Sequence, residues 1–365
     1  MGQQVFVRSC RLTLVLIRVL LVFVWAPAMA AGPGKLPSVV ILATGGTIAG
    51  AGASRTTIAD YDPAKVGVAG LIQAVPELKS VAKIDGEQIF QIASGNITDE
   101  HWLKLAKRVN ELLARDDVDG IVIAHGTDTL EETAYFLNLV VKSRKPVVMV
   151  GSMRPSTAIS ADGPINLYNA VILAASPEAV GKGVLIVLND QISGARDVTK
   201  TNTANTDTFR NWELGFMGYM LDNAPHFYRV STRKHTVDTE FDVSSLDALP
   251  QVDIAYGYAN VKRVAIDALV AAGARAIVYA GVGGGSVARP GAEPALVDAR
   301  KRGVIVVRSS RVGNGIVARN SDAKDDEYDF VVADTLNPQK ARILVMLALT
   351  KTSDTKEIQR MFYTY

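Results

Sequence analysis

A repeated alternation constrains this chain most: a short run of Val, Ile and Leu, then a helical stretch, then another run. The runs are Val39–Ala43, Ile121–Ile123, Val147–Val150 and Val184–Leu188. Between the first two, Trp102, Leu105, Ala106, Val109, Leu112 and Leu113 recur at helical spacing. A strand that is apolar along its whole length must be covered on both faces, and intervening helices supply that cover in a parallel sheet. Thr129, with Glu132 three residues on, forms a capping-box pattern that predicts a helix start. From about residue 205 to 250 the rhythm is lost, and after Pro250 it returns. Strands are predicted at Val252–Ala255, Ala276–Ala280 and Val304–Val307, and helices at Val261–Ala272, Glu293–Arg302 and Gln339–Thr350. The expectation is an α/β protein of two α/β domains. The larger N-terminal domain, with a mainly parallel sheet, covers 36–228, a linker covers 229–250, and a smaller C-terminal α/β domain covers 251–365.

Residues 1–30 read as a secretory signal peptide. Their charged side chains are Arg8, Arg11 and Arg18, and Leu12–Trp25 is apolar except for Thr13 and Arg18. Pro27-Ala28-Met29-Ala30-Ala31 holds the small-x-small pattern of a cleavage site. The apolar stretch is too short, and is broken by an arginine, to span a hydrocarbon core of about 30 Å. No later segment is long and apolar enough to do so. Cleavage after Ala30 takes the net charge from +2 to 2 − 3 = −1 and removes Cys10, the sole cysteine. A cysteine-free exported chain suits an oxidising periplasm. With 39 Lys+Arg against 37 Asp+Glu, there is no large basic field for nucleic acid.

In open α/β sheets ligands bind at the carboxyl ends of the strands. That rule places Thr44–Ile48, Ser94–Asn96, Gly126–Thr129 and Gly151–Arg154 on one rim, each with a glycine beside a hydroxyl residue. The Gly-rich stretches at 45–52 and 281–286 miss the spacing of nucleotide-binding loops. No metal-ligand spacing occurs, and Asp322, Asp325 and Asp326, with Lys324 among them, read as a solvated loop. No histidine sits near a Gly-x-Ser-x-Gly elbow, so a Ser-His-Asp triad is not expected. Thr47 and Thr127 end two strands on the same rim. A desolvated lysine can replace histidine as a base, and Lys200 is the candidate. Each residue also has a plainer reading: Thr47 as a turn residue, Thr127-Asp128 as helix caps, Lys200 as a surface charge.

Taken together, several segments resemble the bacterial type II (periplasmic) L-asparaginases and the related glutaminase-asparaginases. They are ILATGGTIAG at 41–50, HGTDTLEETAYFL at 125–137, KPVVMVGSMRPSTAISADGPINLYNAV at 145–171, ARDVTKTNT at 195–203, VVRSSRV at 306–312 and TLNPQKAR at 335–342. The likeness runs from about Pro37 to Tyr365. It implies that Thr47 is a nucleophile attacking a side-chain amide to form an acyl-enzyme, helped by Tyr61. It implies a second constellation of Thr127, Asp128 and Lys200, in which Lys200 acts on Thr127, Thr127 helps activate water, and Asp128 holds the substrate α-amino group. Ser94 is implied to hold the α-carboxylate, and Ser152 to offer a backbone carbonyl to the amide nitrogen. No cofactor is implied. The resemblance also implies a homotetramer with active sites built between paired subunits.

The chain departs from the family at Gly95, where Gln or Glu usually follows Ser94. It departs again at Asp322, in place of an intersubunit Glu, and at Ser286, in place of an Asn. These three belong to the expected substrate-binding set. The expected activity is hydrolysis of L-asparagine to L-aspartate and ammonia, with a modest preference for asparagine over L-glutamine. The alternatives are a dual glutaminase-asparaginase and a periplasmic amino-acid-binding protein, which would bind without turnover.

Overall fold

A computed structural model describes Gly2 and residues 35–365. The expected signal peptide lies, Gly2 apart, outside the described residues. The folded unit is Leu36–Tyr365. The apolar runs become the middle of its larger sheet. Lys83–Ile92, Ser38–Gly45, Gly120–Ala124, Val147–Val150 and Val184–Leu188 lie side by side in that order, all parallel. Beyond them the sheet turns antiparallel through Gln191–Gly194, Gly218–Leu221 and Ala224–Phe227. Every residue of the Gly120–Ala124, Val147–Val150 and Val184–Leu188 strands is buried. Successive side chains leave opposite faces of a strand. Leu42, Ile121 and Ile123 therefore pack under the Asp99–Leu113 and Leu130–Val140 helices. Ile41, Val122 and Val148 pack under Gly163–Ala175 on the other face.

A second sheet, Val252–Tyr256, Ala276–Gly281, Ile305–Ser310 and Val331–Val332, is parallel throughout. The Ala292–Lys301 helix covers one face through Leu296 against Ile277 and Val306. The Pro338–Ala348 helix covers the other, and packs on the Leu130–Val140 helix as well. It thereby joins the apolar layers of both sheets into one core.

Two local expectations change. The helix after Thr129 begins at Leu130, but no capping box forms there: the Thr129 hydroxyl donates to Ser94 O at 2.9 Å instead. The Asp322–Asp326 segment is not uniformly solvated, because Asp325 is fully buried against Arg308. The loss of rhythm after residue 205 hides the Gly218–Leu221 and Ala224–Phe227 hairpin. Its turn places Asp222 and Asn223 at φ 49° and 62°, the left-handed pair a tight hairpin requires. In the 229–250 stretch, Phe241 and Val243 are buried in the core.

Candidate active site

Neighbouring parallel strands deliver the rim segments side by side. Ser38–Gly45 leads into the turn at Gly46-Thr47, Lys83–Ile92 into Ser94, and Gly120–Ala124 into Gly126-Thr127-Asp128. Two glycines let these turns meet. A Cβ on Gly46 would stand 2.2 Å from Gly126 Cα, and Gly46 has φ +81°, a conformation side chains resist. A Cβ on Gly126 would stand 2.6 Å from Ser94 Oγ. The floor of the site is thus backbone in contact with backbone and with the Ser94 hydroxyl.

The functional side chains rise from this floor in two groups. Thr47 Oγ1 lies 2.6 Å from Tyr61 Oη. Tyr61 is carried over the turn because Tyr61–Asp62 pairs antiparallel with Ala51–Gly52. In the second group Lys200 Nζ donates to Thr127 Oγ1 at 3.0 Å and to Asp128 Oδ1 at 2.7 Å. The Lys200 side chain is only 17% exposed, whereas that of Asp128 is 72% exposed. The plainer reading of Lys200 as a surface charge therefore fails, and Asp128 keeps a face open to a ligand. Thr47, Tyr61, Ser94, Thr127 and Asp128 line one cavity of about 240 Å³. That volume suits a small molecule. A hydroxyl pair lining the cavity, and a hydroxyl and carboxylate beside it that share the Lys200 ammonium behind them, can together serve nucleophilic attack and proton handling.

His125, one residue before Gly126, is fully buried, and burial pushes its pKa down to about 4. Its Nδ1–H donates to Gly126 O at 2.7 Å, which ties the ring to the turn. Among the described residues no group of three or more His, Cys, Asp or Glu side chains is placed to hold a metal ion.

The other expected contacts stand apart from this cavity. Ser152 is buried, its hydroxyl donates to Arg154 O at 2.8 Å, and it does not line the cavity. A Cβ on Gly95 would meet nothing within 4 Å. Ser286 Oγ donates to Asp322 Oδ1 at 2.8 Å, and this pair does not line the cavity within one chain. Arg308 holds the pair's two loops together. It donates to Asp325 Oδ1 and Oδ2, both at 2.6 Å, to Gly285 O at 2.9 Å and to Ala318 O at 3.0 Å.

The sequence reading missed the groups behind Lys200. Glu131, buried in the first turn of its helix, accepts from Thr199 Oγ1, Asn337 Nδ2 and Gln339 Nε2. The sequence carried no signal for it, since an acidic residue in a first helical turn is ordinary.

Family comparisons agree with this architecture. Residues 38–233 match the family model described as Asparaginase, N-terminal, and residues 251–362 match the Glutaminase/Asparaginase C-terminal domain. The chain is 60% identical over 338 residues to L-asparaginase 2 of Bacillus subtilis, covering 93% of this chain and 89% of that one. It is 56% identical over 333 residues to the glutaminase-asparaginase of Pseudomonas fluorescens, covering 91% of each. A crystal structure of a probable cytoplasmic L-asparaginase from Campylobacter jejuni superposes with a TM-score of 0.88 at 50% identity, covering 90% of this chain and 100% of that one. With both family models matched in order and relatives this similar along most of its length, the chain belongs to the asparaginase family.

Proposed function

We propose that this protein hydrolyses L-asparagine to L-aspartate and ammonia through an ester on Thr47. The observation that carries the reading is the convergence of the Thr47–Tyr61 pair and the Lys200–Thr127–Asp128 group on one small cavity. An amide is a poor electrophile, and dividing its hydrolysis between two barriers makes each lower. Thr47 Oγ attacks the carboxamide carbon, the C–N bond breaks, and the nitrogen leaves as ammonia with the proton that Thr47 gives up. Tyr61, in hydrogen bond with Oγ, is the neighbour through which that proton is handled. Water then attacks the ester carbon, with Thr127 and Lys200 managing its proton, and Thr47 is released. Asp128 pairs with the α-ammonium and Ser94 holds the α-carboxylate, which fixes the amide against Thr47.

A dual activity on L-glutamine is the second reading, favoured by the 56% identity to a glutaminase-asparaginase. The Gln or Glu that the family carries at the position of Gly95 is absent, which removes a contact that both amides would share. We expect the longer, more mobile glutamine to suffer more, giving a modest preference for asparagine. The Ser286–Asp322 pair belongs, on this reading, to the site of a neighbouring subunit, as in a homotetramer with shared sites. Residues 1–30 support export to the periplasm. The domains are taken as 36–228 and 251–365, joined by 229–250.

Ammonia release from both amides, side by side on mature protein and on Thr47→Ala, tests the reaction. The variant is expected to lose at least about a thousandfold in kcat. Binding of either amide by wild type without any ammonia release would replace the enzyme with an amino-acid-binding protein.

A further inference from the structure

The groups behind the Lys200–Thr127 pair form a buried cluster contributed by three distant stretches of chain. Thr199, next to Lys200, donates through Oγ1 to Glu131 Oε1 at 3.1 Å. Glu131 opens the helix that follows Thr127 and Asp128. The third stretch is the start of the Pro338–Ala348 helix. Gln339 Nε2 donates to Glu131 Oε1 at 3.0 Å, and Asn337 Nδ2 to Glu131 Oε2 at 3.2 Å. Lys340, 1% exposed, donates from Nζ to Arg196 O at 2.8 Å and to Val198 O, and lies 3.7 Å from Glu131 Oε2.

A buried ammonium and carboxylate are costly to place and rarely add stability over apolar residues of the same size. Burial pulls the Lys340 pKa down to about 8. The directions of these bonds point to a role other than stability. Lys340 holds the backbone two and four residues before Lys200 by its carbonyls. Glu131 grips the residue beside Lys200 with one end and stands just after Thr127-Asp128 with the other. Moving any of these bonds moves Lys200 Nζ relative to Thr127 Oγ1.

We propose that Glu131 and Lys340 form a clamp that sets Lys200 at hydrogen-bonding distance from Thr127, so that the C-terminal helix governs the water-activating half of the site. They are positioning residues, since neither lines the cavity that holds Thr47. The proposal rests on the asparagine-hydrolysis reading. It implies that the clamp bears first on hydrolysis of the Thr47 ester, the step assigned to Lys200 and Thr127, and only secondarily on substrate binding, through the Lys200–Asp128 bond of 2.7 Å.

The test is L-asparagine turnover by the full mature chain as wild type, Thr199→Val and Lys340→Met. The folded fraction is followed by circular dichroism, and acid-quenched enzyme is weighed by mass spectrometry for the aspartyl ester on Thr47. In both variants kcat per folded molecule is expected to fall about tenfold or more, as misplacement of a working group does. KM should fall with kcat, leaving kcat/KM within about twofold of wild type, and the ester should accumulate above its wild-type level. A lower Tm with kcat per folded molecule, KM and ester at wild-type values overturns the clamp and leaves the reaction standing. Should Lys340→Met fail to fold, Thr199→Val, which removes one hydroxyl at near-constant shape, decides alone. Wild type that releases no ammonia overturns the reaction, and the clamp with it.

Discussion

Gly46 and Gly126 are the residues of the site with least freedom to change. Alanine at Gly46 brings a Cβ to 2.2 Å from Gly126 Cα at a φ of +81°, so steric overlap and backbone strain add. Gly46→Ala is expected to lower unfolding free energy by about 2–5 kcal/mol, read from urea denaturation, and to abolish turnover. Gly95 is the opposite case, with open space around its Cβ position. Gly95→Gln should leave Tm within a few degrees while lowering the KM for asparagine severalfold. An unchanged KM would remove position 95 from the substrate contacts. The strand-end hydroxyls Thr47 and Thr127 were legible because a run of Val and Ile ends where a site can begin. Glu131 was not legible, since an acidic residue in a first helical turn is ordinarily explained by the helix dipole. Only its contacts with Thr199, Asn337 and Gln339 set it apart, and the last two lie more than 200 residues away along the chain.

Elements respond to charge burial as units. Glu132, in the first turn of the Leu130–Val140 helix, has its pKa pushed up from 4.5 to about 7, chiefly by burial. Between pH 4.5 and 7 the folded state then binds more protons than the unfolded chain, so this residue erodes stability as pH rises through that window. Glu132→Gln should raise Tm by a few degrees at pH 8 and leave it nearly unchanged at pH 4, which thermal scans at the two pH values will show. The Arg308–Asp325 pair works in the reverse sense. Both side chains are fully buried, so Asp325→Ala leaves an uncompensated guanidinium and should cost about 3–5 kcal/mol in denaturant titration. The central strands were legible because they are buried on both faces. The Lys83–Ile92 strand was not, because it sits at the sheet edge with largely half-buried or exposed residues and Gly86 in its middle. The Thr129–Glu132 pattern marked a true helix start for a reason the sequence conceals, since the hydroxyl is taken by Ser94 O.

At the scale of the molecule, two sheets share one apolar core through the Pro338–Ala348 helix. If Ser286 and Asp322 serve a neighbour's cavity, two crippled chains can repair each other. Thr47→Ala and Asp322→Ala subunits, unfolded together and refolded at equal ratio, should recover about a quarter of wild-type turnover per site, the share that random pairing of two-fold-related subunits predicts. No recovery would confine the working site to a single chain. The return of β/α alternation after Pro250 made the second sheet legible, whereas the proposed place of the Ser286–Asp322 pair in a neighbour's site is nothing periodicity can describe. The backbone floor carries one more implication. With Gly46 seated on Gly126 and Gly126 against Ser94, the turns carrying Thr47, Ser94 and Asp128, the anchor points of the proposed reaction, are held in a fixed triangle. A tetrahedral carbon whose substituents must meet three unlike corners is sorted by its handedness. On the proposed function, the mirror image of the substrate would reach two corners at a time, and selection by handedness would follow from corners whose spacing the main-chain floor holds.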